Sequence, residues 1–239
     1  MLAGVSTEWY TRLEKGHIGG VSDDVLEAVA RALQLDDAER AHLFDLARAA
    51  RPTRAPQRRR PKLRPQVQWM LDSMAGSAAF VRNGRMDIIA SNDLARALFP
   101  FYATKSPNHA RFVFLDPDAA EFFDNWEAAA QITAALLRSE AGRNPHDKGL
   151  RDLIGELSTL STDFRRMWAA HDVRLHHSGT KTFRHPVVGR IELSYHSMPL
   201  TAPGSADLEL TIYTAMPVSA ADDAIRLLSS IAATQAVSR

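Results

Sequence analysis

The chain has 239 residues, of which 45% are hydrophobic and 24% are charged, and its formal net charge is +1. This length suits one large domain, or a small domain followed by a medium one. No apolar run approaches the roughly 18 residues of a transmembrane helix, and no export leader is visible. The absence of cysteine excludes disulfides, thiolate metal ligands and cysteine nucleophiles. We therefore expect a soluble cytoplasmic protein without membrane association.

Charge is distributed unevenly along the chain. The first 64 residues contain twelve Lys and Arg against nine Asp and Glu. Most of this excess lies between Arg48 and Arg64, where eight basic residues and three prolines occur without an acidic residue. Because proline interrupts helices, we predict a linker at residues 51–65. Its arginines either contact DNA phosphates or keep the linker solvated.

The residues before this linker have the pattern of a compact all-α domain, which we place at residues 1–50. Residues 2–16 predict the end of one helix, a turn at Gly4 and a short second helix capped by Ser6. One face of the second helix is polar and has nothing to bury, as expected of a helix that lies in the major groove. Ser22 predicts the N-cap of another helix, and Asp36–Glu39 the capping box of a further one.

The residues after the linker predict an α+β domain at residues 66–233. Two apolar runs joined by Asn83-Gly84 predict a β-hairpin with a type I′ turn. Helical spacing predicts short helices at 67–74 and 92–99, a long helix that starts at Asp116-Pro117, and helices at 149–157 and 161–171. Strands are predicted at 173–177, 180–185, 190–199 and 208–216, before a closing helix at 221–233. We expect an antiparallel sheet with helices packed on one face, able to enclose a pocket.

Several strings resemble two known families. Leu2–Ser6, Tyr10–Gly16 and Val25–Leu33 resemble the Xre-type (repressor and Cro-like) helix-turn-helix module. Four later strings resemble the MmyB-like ligand-binding domain, a PAS-like sensor module: Arg111–Pro117, Asn125–Glu127, Phe164–Arg174 and Gly179–Gly189. Together they extend from Leu2 to about Leu228. The resemblance implies a transcriptional regulator that binds double-stranded DNA and senses a small apolar ligand, with fatty acids as the suggested class.

The resemblance also suggests which residues contact DNA. Matched to the family pattern, the groove-facing positions are Thr7, Glu8, Thr11 and Arg12, and Trp9 lies near the sugar-phosphate backbone or a thymine methyl. Arginine can grip guanine and glutamate can accept from cytosine, each contributing about 1–3 kcal/mol of discrimination. We also expect a homodimer whose ligand shifts the placement of its two DNA-binding modules.

For the ligand site, the sequence leaves two readings open. The aromatic side chains of the second domain either line an apolar pocket or fill a core: Phe99, Phe112, Phe122, Trp126, Phe164 and Trp168. The resemblance to a sensor favours a pocket, with Arg111, His171 or His185 at its mouth to hold a carboxylate.

One departure from the family concerns the first domain. The chain begins at the end of the second helix of an Xre-type module, so the helices that brace the recognition helix are missing. We expect that the start codon is misassigned and that these helices are encoded upstream. The alternative is a truncated sensor or antagonist, which binds ligand and dimerises with little DNA binding of its own.

Other classes of site find little support. Five histidines lie between His171 and His196, but the adjacent His176 and His177 would face opposite sides of a strand. No nucleophile elbow, P-loop or dinucleotide fingerprint is present. We therefore expect no metal, no cofactor and no enzymatic activity.

Overall fold

The computed structural model describes residue 11 and residues 21–49, 63–170, 178–200 and 208–237. Within residues 21–49, two helices, α1 (Asp23–Ala32) and α2 (Asp37–Ala49), pack against each other. Their shared core contains Leu26 and Ala47. Within the described ranges, no helix is both long and apolar enough to cross a membrane.

Two capping predictions can be compared with the structure. The capping box is confirmed, because Asp36 N donates to Glu39 over 2.9 Å and Glu39 N donates to Asp36 over 2.8 Å. Ser22 is the N-cap of α1, but its side chain makes no capping hydrogen bond. Thr11 is helical and exposed, and the rest of the predicted recognition helix lies outside the described residues.

The second half of the chain forms a five-stranded antiparallel sheet. Its strands are β1 (Ala78–Asn83), β2 (Ile88–Ser91), β3 (Ser178–His185), β4 (Gly189–Pro199) and β5 (Leu208–Thr214). Their order in the sheet is β2-β1-β5-β4-β3, and every neighbouring pair is antiparallel. The predicted α+β class is confirmed. The predicted strand at 173–177 lies outside the described residues.

The hairpin between β1 and β2 was correctly predicted, but its turn was not. The Asn83 side chain accepts from Asp87 N over 2.9 Å and donates to the Asp87 carboxylate over 2.9 Å. These bonds close a longer turn in which Met86, with φ at 64°, adopts the left-handed conformation. The predicted type I′ turn at Asn83-Gly84 is therefore wrong, because Asn83 stabilises the wider loop through its side chain.

A helix also packs on part of the second face of the sheet, which corrects the prediction of helices on one face. Alternate β1 residues point to opposite faces, so Ala78 and Phe80 join the larger core while Ala79 and Val81 join a smaller one. The smaller core is closed by helix α3 (Pro65–Ser73), whose Leu71 is fully buried. The first four residues of β1, from Ala78 to Val81, are therefore apolar on both faces.

Most helices lie on the side of the sheet that carries Phe80, some of them packed on the sheet and others on neighbouring helices. They are α4 (Asp93–Leu98), α5 (His109–Leu115), α6 (Ala119–Phe122), α7 (Trp126–Arg143), α8 (Lys148–Leu160), α9 (Thr162–Ala169) and α10 (Ala220–Val237), with a 3₁₀ turn at Pro100–Ala103. The single long helix predicted from Asp116-Pro117 is in fact two helices. Between them Asp124 N donates to Thr182 O of β3, and the Asn125 side chain then caps α7 by accepting from Ala128 N. This contact with the sheet edge prevents a continuous helix.

Helix α7 lies at the centre of the second half of the chain. It contacts α5, α6, α8 and α9, and near its C-terminal end it also contacts α2. Between Ala128 and Gly142 none of its residues is classed as exposed. A helix that is enclosed on all sides cannot move without changing the packing of its neighbours.

Candidate ligand-binding site

A small cavity lies between α7 and the inner face of the sheet. Its volume is about 40 Å³, and its apolar wall consists of Phe80, Met86, Ile132 and Leu136. The other lining side chains are polar and include Arg82, Lys181, Ser197 and Thr211, together with His109 and Tyr195; we call this set the polar end. The cavity is therefore lined by both apolar and polar side chains.

The period-2 alternation of the strands explains why these side chains face the cavity. Lys181 lies two residues before the buried Phe183, so both side chains point to the inner face of β3. In the same way, Arg82 lies on the side of β1 that carries Phe80. From α7, Ile132 and Leu136 point into the cavity because residues four positions apart share one face of a helix.

Most polar groups at this end are already paired. Arg82 forms an ion pair with Glu209 over 2.7 Å, and the Arg82 side chain is only 11% exposed. The hydroxyls of Ser197 and Thr211 are 2.7 Å apart. The carboxylate of Glu209 neutralises the charge of Arg82. One of the two hydroxyls donates to the other, and the second hydroxyl keeps a hydrogen that can be donated elsewhere.

Lys181 differs from its neighbours because no ion pair to it forms within the part of the chain that the structure describes. Its Nζ lies 4.9 Å from the centroid of the Tyr195 ring. The residue is half-buried, and burial of its ammonium, with a smaller contribution from Arg82, lowers the pKa of Lys181 to about 8. A charged group that is removed from water without a counter-charge destabilises the fold and favours an incoming anion.

His109 supplies a neutral group beside this lysine. Burial, followed by the positive charges of Lys181 and Arg82, lowers the pKa of His109 to about 3. Its Nδ1 is buried, and no hydrogen-bond partner for it is found among the described residues. His109 is therefore an uncharged imidazole at the polar end.

The family comparisons match this architecture. Residues 63–228 match the family described as MmyB-like transcription regulator ligand binding domain. The chain belongs to the MmyB-like family. Residues 1–43 match a helix-turn-helix domain. A search of curated proteins found no significant match.

Together, the two domains identify a DNA-binding transcription regulator that senses a small-molecule ligand. Its partners are DNA at the helix-turn-helix and a small molecule at the MmyB-like domain. The description of this family is that of a transcription regulator. The predicted resemblance to the MmyB-like domain is confirmed, and the first part of the chain is confirmed as a helix-turn-helix domain.

Three predicted aromatic residues of the MmyB-like domain lie behind the cavity. Phe99, Phe112 and Phe122 are buried, at 1%, 7% and 6% exposure. Phe99 contacts the cavity wall, with its ring centroid 6.0 Å from that of Phe80 and 5.3 Å from that of Tyr213. The structure thus places these rings in the aromatic core, one layer beyond the cavity surface. Their contact with a ligand stays a prediction.

The other predicted aromatics lie on the far side of α7. Phe164 is fully buried and stacks on Trp168 with centroids 5.4 Å apart, while Arg138 lies over the Trp168 ring. Trp126 donates from its indole nitrogen to Val113 O over 2.9 Å. A second cavity of about 90 Å³ on this side is lined by Arg138 and Met167, among others. The structure does not bring all six predicted aromatics around one cavity.

The structure places two of the predicted head-group residues elsewhere. Arg111 forms a bidentate ion pair with Glu156, with a closest distance of 2.7 Å, and its side chain is 44% exposed. His185 is buried, and its Nε2 lies 2.9 Å from Ala97 O. Neither residue lines the cavity. His171, Thr7, Glu8, Trp9 and Arg12 lie outside the described residues.

The polar end of the cavity was missed by the sequence analysis, although a signal was present. In β3 the alternation Gly179, Lys181, Phe183 places a lysine in the inward-facing series of a strand. A charged residue in that series is unusual and indicates a function or a partner. As for metals, the described ranges contain no group of three or more His, Asp or Glu side chains able to hold an ion.

Proposed function

We propose that this regulator binds a small, mainly apolar ligand of the fatty-acid class between the sheet and α7, and that binding changes its affinity for DNA. The observation that carries the proposal is the cavity itself, which is lined by apolar side chains, two of them from α7, and by polar side chains from the strands. An amphipathic ligand satisfies both walls, because its chain can contact Ile132 and Leu136 while its head meets the polar end.

The size of the cavity determines how such a ligand is accommodated. Sites for small molecules typically measure about 300–1,000 Å³. The cavity is far smaller, at about 40 Å³. A fatty acid therefore enters only if α7 and the sheet move apart. The added space would expose Phe99, which already contacts the cavity wall through Phe80.

Movement of α7 reaches the DNA-binding part of the chain through α2. Near its end, α7 approaches α2 so closely that a Cβ atom built on Gly142 would lie 2.5 Å from Cε1 of His42. Helix α2 in turn packs on α1. Because packed helices shift as rigid units, a displacement of α7 moves α2 and changes the presentation of the recognition helix.

We further propose that the regulator acts as a homodimer. Helix-turn-helix dimers bind two half-sites one helical turn apart, so their affinity depends on the relative placement of the two modules. Sedimentation velocity of the full chain should give a mass near twice 26.4 kDa. A monomer at micromolar concentration, with and without DNA, would refute this part of the proposal.

Within the recognition helix we propose base contacts from Thr7, Glu8, Thr11 and Arg12, and a backbone contact from Trp9. Arg12→Ala should weaken binding to a selected site by about 1–3 kcal/mol and relax sequence preference at one base pair. Arg58→Ala in the basic linker is the control. It should weaken binding to all sequences alike and reduce the salt dependence.

Two measurements test the ligand proposal. Native mass spectrometry of gently purified protein should find a bound lipid-like species. DNA sites can be selected from a random duplex library, and their affinity measured by fluorescence anisotropy with and without decanoate or longer alkanoates. We expect the alkanoate to change DNA affinity at least about fivefold, the lower end of allosteric coupling. Absence of both a bound species and any change in DNA affinity would contradict the proposal.

A further inference from the structure

The polar end of the cavity contains one positive charge with no counter-charge. Arg82 is neutralised by Glu209, at 2.7 Å. Of the other groups that face Lys181, His109 from α5 is neutral at physiological pH because its pKa is about 3. Tyr195 from β4 and Tyr213 from β5 have raised pKa values, caused chiefly by burial, and are also neutral.

The net charge of these groups is therefore +1, and Lys181 carries it. A buried ammonium without a partner loses its hydration and gains only the weak attraction of the Tyr195 ring, 4.9 Å away. The fold does not need a lysine at this position, since an apolar side chain would pack on the inner face of β3 without that penalty. A ligand that brings a negative charge removes the penalty.

We propose that Lys181 anchors the anionic head group, a carboxylate, of the ligand that occupies this cavity. The inference rests on the proposed function and assigns the head of the ligand to one end of the site. Ser197 and Thr211, whose hydroxyls are 2.7 Å apart, line the same cavity and can donate a hydrogen bond to a polar group of the ligand. The alkyl chain then runs along Phe80 and Leu136.

Other cations are less suited to this role. Arg82 would have to give up Glu209, and Arg111 is held by Glu156 at the surface. Lys181 alone combines a position on the cavity wall with a free charge in the part of the chain that the structure describes. Charge-assisted hydrogen bonds of this kind strengthen binding by about ten- to a hundredfold.

The test compares head groups on one alkyl chain. Isothermal titration calorimetry of the full chain at pH 7 would use decanoate, decanol and decylamine as probes. We expect the wild type to prefer decanoate over decanol by about tenfold or more. Lys181→Met should abolish this preference while decanol binding stays within a few-fold of the wild type. Lys181→Arg should retain part of it.

Lys148→Met is the matched control, because Lys148 is 81% exposed on α8 and forms an ion pair with Asp152 at the surface. This variant should keep the preference for decanoate. Thermal unfolding of each variant checks folding. If Lys181→Met does not fold, the comparison of decanoate with decanol on the wild type still tests the charge at the site.

The outcomes separate the two proposals. Wild-type protein that binds decanoate and decanol equally, or a Lys181→Met variant that keeps the preference, overturns the anchor and leaves the apolar sensor standing. Loss of the preference in Arg82→Met but not in Lys181→Met assigns the head group to Arg82 and also overturns the anchor. Wild-type protein that binds no alkyl probe refutes the proposed function, and the anchor with it.

Discussion

Replacement of Lys181 by methionine should stabilise the ligand-free protein. Burial lowers the pKa of Lys181 from 10.5 to about 8. At about 1.4 kcal/mol per pKa unit, the charged lysine destabilises the folded state by about 3 kcal/mol at pH 7. The variant loses the attraction between the ammonium and the Tyr195 ring, which is about 0.5–1 kcal/mol. The net gain in the free energy of unfolding is therefore about 2 kcal/mol, equivalent to a Tm higher by about 4–8 °C.

The pH dependence of this gain identifies its cause. Lys181 has a lower pKa in the folded protein than in the unfolded chain, so between about pH 8 and 10.4 the unfolded chain binds more protons. Wild-type stability should rise with pH across this interval, relative to the variant, by up to about 1.4 kcal/mol per pH unit. The advantage of Lys181→Met is complete below pH 8 and disappears near pH 10.4.

Urea unfolding at several pH values between 7 and 10.5, followed by tryptophan fluorescence, measures this difference directly. Lys148→Met provides the control for a surface lysine and should show no pH-dependent difference from the wild type. A Lys181→Met variant that is less stable than the wild type at pH 7, with a difference that does not change with pH, would refute the reasoning. In that case Lys181 would be a solvated or paired group.

Three further predictions concern the pH dependence of decanoate binding, the contact between α2 and α7, and the buried Asn92. Decanoate affinity should fall as pH rises above 8, by up to about tenfold per pH unit, because free Lys181 loses its proton; calorimetry at pH 7, 8 and 9 that shows constant affinity would contradict this. Gly155→Ala, which meets nothing within 4 Å, should stabilise α8 by about 0.5–1 kcal/mol, whereas Gly142→Ala drives a methyl group into His42 and should speed amide exchange in α2. Equal effects of the two alanines on α2 exchange would argue against a close α2–α7 contact. Asn92→Ala removes a buried side chain that accepts from Ala79 N and Ala95 N and whose amide nitrogen lies 2.8–3.3 Å from three backbone carbonyl oxygens, and should cost at least about 3 kcal/mol in urea unfolding; a loss below about 1 kcal/mol would contradict this.

Local sequence signals succeeded where the chemistry of a few neighbouring residues decides the structure. The Asp36–Glu39 capping box forms as predicted because its donors and acceptors are three residues apart on one turn. The hairpin and the later strands followed from alternation and turn residues. The family resemblance also depended on contiguous strings and was confirmed over residues 63–228.

Predictions failed where a contact between distant residues decided the outcome. The helix predicted from Asp116-Pro117 stops because residue 124 bonds to β3, which lies about sixty residues later in the chain. Arg111 was expected at a pocket mouth, but Glu156 of another helix holds it at the surface. Periodicity describes the faces of an element and does not identify which partner covers each face.

The sequence alone determined the class of protein: a helix-turn-helix followed by an α+β sensor with an apolar interior. Only the tertiary structure brought Lys181, Arg82 and His109, from three separate elements, to the same end of one cavity. It also placed α7 in contact with both that cavity and α2. The physical reason is that charge balance depends on distances between groups far apart in the chain. Lysine side chains usually lie at the protein surface. Lys181 carries a charge without a counter-charge among the described residues because the fold places it between the sheet and α7.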